Sequence, residues 1–152
     1  MKTQSGNNRR YVLDSTAFLT MFEDEEGAAT VQNLLERAST GDVVVFVSFV
    51  TFTEIFYITI RRKGEQEGLT RMALMEALPI TRIESSKELS LISGRLKASF
   101  RISFADAWVA ATAMFYDAVL VHKDPEFEQL REKVRTLTLP YKPKVRLKKS
   151  GK

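Results

Sequence analysis

The stretch "GDVVVFVS", Gly41 to Ser48, decides the fold. Val43 to Val47 run without the polar alternation of a half-exposed strand, as expected of a strand buried on both faces. Such a strand needs helices above and below it. Working outward, Ala28, Val31, Leu34, Leu35 and Ala38 recur at helical spacing, and Gly41 suits the stop. Further upstream, "RYVLD" predicts a first strand ending at Leu13, with "STAF" opening a helix. Downstream of Ser48, Thr, Val and Ile favour strands, but length and the charged "RRKG" ending predict a helix over about Phe49 to Lys63. Another follows over roughly Gln66 to Leu78, stopped before Pro79. "ITRI" then reads as a short strand. Ser86 caps a helix carrying Leu89, Ile92, Leu96 and Phe100, and Ser103 opens one that runs to about Tyr116. "AVLV" and "VRTLTL" are the last two strands. Alternating strands and helices imply an α/β sandwich with a mostly parallel sheet.

The 152 residues, 44% hydrophobic and 28% charged, suit one domain with a sizeable core. There is no cysteine, so disulfide scaffolds, thiolate metal sites and thiol catalysis are excluded. "MKTQSGNNRR" lacks the apolar core of a signal peptide, and the most apolar stretch, Val43 to Thr53, is too short to span a bilayer. The expectation is a soluble, cytoplasmic protein without a membrane role. Its net charge of +4 belongs to the C-terminus: Lys142, Lys144, Arg146, Lys148, Lys149 and Lys152 come without an acid. Setting those six aside leaves 17 basic against 19 acidic residues. Such a tail either holds a phosphate backbone by counterion release or simply aids solubility. The expected organisation is a flexible segment 1–10, one domain over 11–139 and a basic tail over 140–152.

In parallel α/β sheets ligands gather beyond the carboxyl ends of the strands. Four acids fall in such positions. Asp14 follows the first strand, Asp124 lies just past "AVLV", Asp106 is in the first turn of its helix, and Glu54 lies about one and a half turns into the helix after Ser48. Each has a plainer explanation. Asp14 suits a helix cap, Ser103 and Asp106 fit the S-x-x-D capping pattern, and Asp124-Pro125 suits a turn. Glu54, amid Phe52, Ile55, Phe56 and Ile58, suits a salt bridge. Carboxylates near 4 Å repel by roughly 1 to 4 kcal/mol per pair, so a cluster of them calls for a cation. All-oxygen ligation with no Cys and one His selects Mg²⁺ or Mn²⁺ over zinc.

"YVLDSTAF", "VSFVTFTEIFY", "ISFADAWVAATA" and "AVLVHKDPEF" resemble the successive acidic motifs of PIN-domain nucleases, particularly VapC-type toxin ribonucleases. The resemblance covers about Tyr11 to Leu139. It implies a three-layer α/β/α sandwich in which Asp14, Glu54, Asp106 and Asp124 surround one or two Mg²⁺ or Mn²⁺ ions and hydrolyse RNA. It also implies a homodimer and a cognate antitoxin protein. Surplus apolar residues at Phe49, Phe52, Phe56, Tyr57 and Ile60 fit a partner groove near Glu54. Many relatives carry a small hydroxyl residue where this chain has His122, its only histidine. His122 and Ser15 are candidates for contacting the scissile phosphate, and His122 equally suits a packing role.

Other readings fit less well. A haloacid-dehalogenase-like phosphatase needs a second aspartate two residues after the first, where this chain has Thr16. A receiver domain needs its aspartate at the end of a middle strand. A housekeeping RNA-processing nuclease, or a non-catalytic RNA-binding PIN domain, remains the alternative to a toxin.

Overall fold

The computed structural model describes residues 9–143. Lys144, Arg146, Lys148, Lys149 and Lys152 of the basic tail lie outside the described residues. The chain forms β1 (Arg9–Leu13), α1 (Ser15–Phe22), α2 (Ala28–Ser39), β2 (Val43–Ser48), α3 (Phe49–Lys63), α4 (Glu65–Ala77), β3 (Thr81–Ile83), α5 (Lys87–Ser99), α6 (Phe104–Phe115), β4 (Val119–His122), a 3-10 helix (Pro125–Leu130) and β5 (Thr136–Thr138). The first strand starts earlier than expected: Arg9 and Arg10 pair with Val43 and Val44, so both belong to the domain and not to a flexible leader.

The five strands are all parallel, in the order β3-β2-β1-β4-β5. Alternate residues of each strand feed two cores. Val12, Phe46 and Leu120 face a core shared with α5 and α6, while Leu13, Val45 and Val121 face one shared with α1 to α4. The result is the three-layer α/β/α sandwich. The order in which strands are added reverses between β1 and β4, the switch point where such sheets open a crevice. The Asp14 amide reaches across it to the Val121 carbonyl at 3.2 Å.

The expected surplus of apolar residues on α3 is absorbed by packing. Phe52 is buried, Phe49 packs edge-on against Trp108, and Phe56 and Ile60 close over Gly68 of α4. A Cβ at Gly68 would stand 3.0 Å from the Phe56 ring, so glycine is what lets α3 and α4 approach. Of the five residues, Tyr57 alone is exposed, beneath the Arg61 guanidinium. Buried Arg71 ties α4 to the end of α1 and to α3, reaching Glu23 at 2.7 Å and Thr59 at 3.2 Å. No helix among the described residues is long and apolar enough to cross a membrane.

Candidate active site

The end of β1 delivers Asp14 into the crevice, where it is both a helix cap and a candidate site residue. Its Oδ1 accepts the Ala17 amide at 2.9 Å, capping α1. The Thr16 hydroxyl donates to both carboxylate oxygens, at 2.7 and 2.9 Å. The same hydroxyl accepts the Lys123 amide at 2.7 Å, so one side chain fastens the β1 exit to the β4 exit. Asp14 is only 2% exposed. Burial raises its pKa from 3.8 to about 7 despite the Thr16 and Ala17 bonds, and Glu54 and Asp124 push it the same way.

Asp106 reaches the same place from the other face. The Ser103 hydroxyl caps α6 by accepting the Asp106 amide at 3.1 Å. The Asp106 carboxylate points at its fellow acids. Burial, a hydrogen bond with Glu126, and the charges of Asp124 and Asp14 raise its pKa to about 9. Asp106, Asp124 and Glu126 each offer a carboxylate oxygen within 4.8 Å of the others. Glu54, on α3, feels burial first and then the Asp124 charge, which raise its pKa against a lowering bond from Ser15. Its Oε1 is buried without a hydrogen-bond partner among the described residues.

The four acids expected from the sequence thus converge on one edge of the sheet, and Glu126 joins them. Glu126 was missed because it lies in a charged run with Glu128 and Glu132 that reads as a solvated surface. The available signal was Pro125 followed by Phe127 and Leu130, an apolar pair three apart that marks a helical turn. Asp124 caps that turn, its Oδ1 accepting the Glu126 amide at 2.9 Å, which brings Glu126 round to Asp106. Thr16 was passed over for want of a charge.

His122 does not meet a phosphate in this geometry. It is 1% exposed, at the end of β4, with its ring edge-on to Phe127. Burial lowers its pKa, keeping the imidazole neutral. An amide N–H can only donate, so Nδ1, 3.1 Å from the Asp124 nitrogen, is the acceptor. Nε2 then carries the hydrogen and donates to Thr138 Oγ1 at 3.3 Å. Nδ1 thus holds the Asp124 backbone and Nε2 holds Thr138, so both nitrogens are engaged. Ser15 is likewise buried, close enough to Glu54 to lower that acid's pKa.

The arrangement fits a hard divalent cation. Mutually repelling carboxylates, an orphaned Glu54 oxygen and an all-oxygen donor set are the conditions that Mg²⁺ or Mn²⁺ relieves. Asp106, Asp124 and Glu126 are placed to hold it, with Asp14 near enough to feel the charges of Asp106 and Asp124. A family model described as the PIN domain matches residues 11–133. The chain belongs to the PIN-domain family. Solved structures share the PIN fold at low identity. One is VapBC2 from Rickettsia felis bound to a DNA fragment from its promoter: TM-score 0.70, 15% identity, 86% of this chain and 99% of that chain covered. DNA-bound VapBC from Salmonella typhimurium gives TM-score 0.68 at 17% identity, covering 86% and 98%. VapC20 from Mycobacterium tuberculosis, a sarcin-ricin-loop-cleaving toxin, gives 0.62 at 14%, covering 78% and 93%. No curated protein sequence matches.

Proposed function

We propose that this PIN domain is a Mg²⁺- or Mn²⁺-dependent endoribonuclease, the toxin of a toxin–antitoxin pair, acting in the cytoplasm as a homodimer. The observation that carries the nuclease reading is the convergence of five acids from β1, α3, α6 and the β4 exit on the sheet's switch point. The toxin assignment is supported by the fold shared with the VapBC structures. A bound cation would lower the pKa of a water, orient it and neutralise charge on the phosphate.

The chain's own groups prepare that site. Thr16 fixes the Asp14 carboxylate so that it faces the crevice, and the His122 ring fixes the Asp124 backbone. Asp106 holds a proton near neutral pH and, hydrogen-bonded to Glu126, is the group that must release it when a cation enters. Glu54 is placed to orient the attacking water through its free oxygen. No side-chain nucleophile is needed, and the buried, fully engaged His122 offers no general base.

Cleavage of single-stranded and hairpin RNA with Mn²⁺ or Mg²⁺ tests this, using wild type, Asp14→Asn, Asp106→Asn and Glu126→Gln. The two aspartate variants should lose activity and Glu126→Gln should lose 10- to 100-fold in cation affinity. Undiminished cleavage by the variants or in EDTA would sink the metal-site reading. Growth arrest on induction, relieved by the neighbouring gene product, separates a toxin from a housekeeping nuclease, and light scattering reports the dimer.

A further inference from the structure

Beside the acids lies a cleft of about 400 Å³ that the reaction itself does not use. Its walls include Thr16, Leu19, Arg62, Lys123, Tyr141 and Lys142. Building on the ribonuclease reading, we propose that this cleft binds one unpaired nucleotide of the RNA next to the bond that is cut.

Position argues for it first. Thr16 lines the cleft while its hydroxyl clamps Asp14, and Lys123 lines it while preceding Asp124 in the chain. A group in the cleft therefore lies one side chain away from the catalytic carboxylates. Charge argues second. Arg62, Lys123 and Lys142 face a single acid, Glu25, which Lys123 and Lys142 share at 3.4 and 3.0 Å. Arg62 makes no ion pair among the described residues. An anion is attracted here, immediately beside a cluster that repels it until a cation enters. A protein segment bringing basic residues to the acids would meet repulsion at this wall, so the charge favours a polyanion.

Shape argues third. Leu19, Pro125 and the Tyr141 ring supply apolar surface, and the Tyr141 hydroxyl is tethered to Glu128 Oε1 at 2.9 Å, which fixes the ring. A fixed aromatic ring beside cations is how single strands are gripped, base on ring and phosphate on cation. The volume falls within the range of about 300 to 1,000 Å³ typical of small-molecule sites, room for one nucleotide stacked on the ring. The ligand is therefore an unpaired nucleotide, from a loop, a bulge or a single strand.

The test uses the full chain carrying Asp106→Asn, with Mn²⁺, and a 12-nucleotide single-stranded RNA of mixed sequence bearing 2-aminopurine at each position in turn. Anisotropy gives affinity, and quenching of the analogue reports stacking. Quenching should peak at one position. Adding Tyr141→Ala should abolish it and weaken binding roughly 5- to 150-fold, whereas Tyr141→Phe, which keeps the ring, should retain both. Adding Arg62→Ala should flatten the log–log salt slope by about 0.7, one phosphate contact of a single strand, and leave quenching in place. Unchanged affinity and quenching in Tyr141→Ala and Arg62→Ala would overturn the subsite while wild-type cleavage upheld the nuclease reading. RNA neither bound nor cut would remove both. Loss of a co-expressed antitoxin from Tyr141→Ala, with RNA binding intact, would make the cleft a protein-docking site and overturn the proposal as well.

Discussion

Without a cation, raising the pH should destabilise this protein, and Asp14→Asn should remove much of the effect. In the unfolded chain Asp14 loses its proton near pH 3.8, but in the fold it keeps it to about 7. Between those values the native state binds more protons than the unfolded one, so stability falls as pH rises. At 1.36 kcal/mol per pKa unit, the loss over that window is about 4 kcal/mol, and between pH 5 and 8 it is about 3 kcal/mol. Asp106 extends the decline to about pH 9, although its share overlaps with that of Asp14 because each repels the other. His122 works in the opposite sense. Its lowered pKa makes stability rise with pH up to the ordinary histidine value near 6.5. The comparison of wild type with Asp14→Asn cancels that contribution, and asparagine preserves the cap as well as aspartate does. Urea melts in EDTA at pH 5, 6, 7 and 8 give the two profiles. The variant should gain on wild type by about 3 kcal/mol across the range. Mn²⁺ at a hundredfold excess over its Kd restores about 2.7 kcal/mol to wild type at pH 8. Two parallel profiles in EDTA would refute the argument, because they would mean that Asp14 ionises in the fold as freely as in water.

Thr16→Ala removes the hydroxyl that joins Asp14 to the Lys123 amide. Metal affinity and cleavage should fall 10- to 100-fold, with a melting shift equivalent to about 1 to 3 kcal/mol, and Thr16→Ser should recover most of both. Deleting residues 144–152 removes five cations and should weaken RNA binding and flatten its salt dependence with little change in saturating turnover, as read by anisotropy and single-turnover cleavage.

The layers of this fold were legible because its signals are local. The run Val43 to Val47 admits only a strand covered on both sides, and the spacing of Val31, Leu34 and Leu35 admits only a helix. The strand order was not legible. It depends on α1 to α4 covering one face while α5 and α6 cover the other, and no spacing within a segment records which face it takes. The site followed the same division. Acids at strand exits stood out, and the plainer readings of Asp14 and Asp124 as caps proved compatible with a place in the cluster, since capping one oxygen leaves the charge of each carboxylate felt by the other acids. Glu126 and Thr16 were hidden because their importance comes from contacts made across the fold. Thr16 meets the Lys123 amide 107 residues away, and Glu126 meets Asp106 only once α6 and the 3-10 helix are packed.

The adjacency of β1 and β4 also has a consequence for the order of events on the ribosome. Asp14 is made before β4, the strand across the crevice from it, and before Asp124 and Glu126, which follow it by more than a hundred positions. At synthesis rates of 5–20 residues per second, that interval is roughly 5–20 s. Glu54 and Asp106 are made within it, but the cluster stays without Asp124 and Glu126 until it ends. If this domain cuts RNA as proposed, such a delay spares the messenger it is translated from. The topology withholds the complete acid cluster until β4 and the 3-10 helix have been made, without any inhibitor being present.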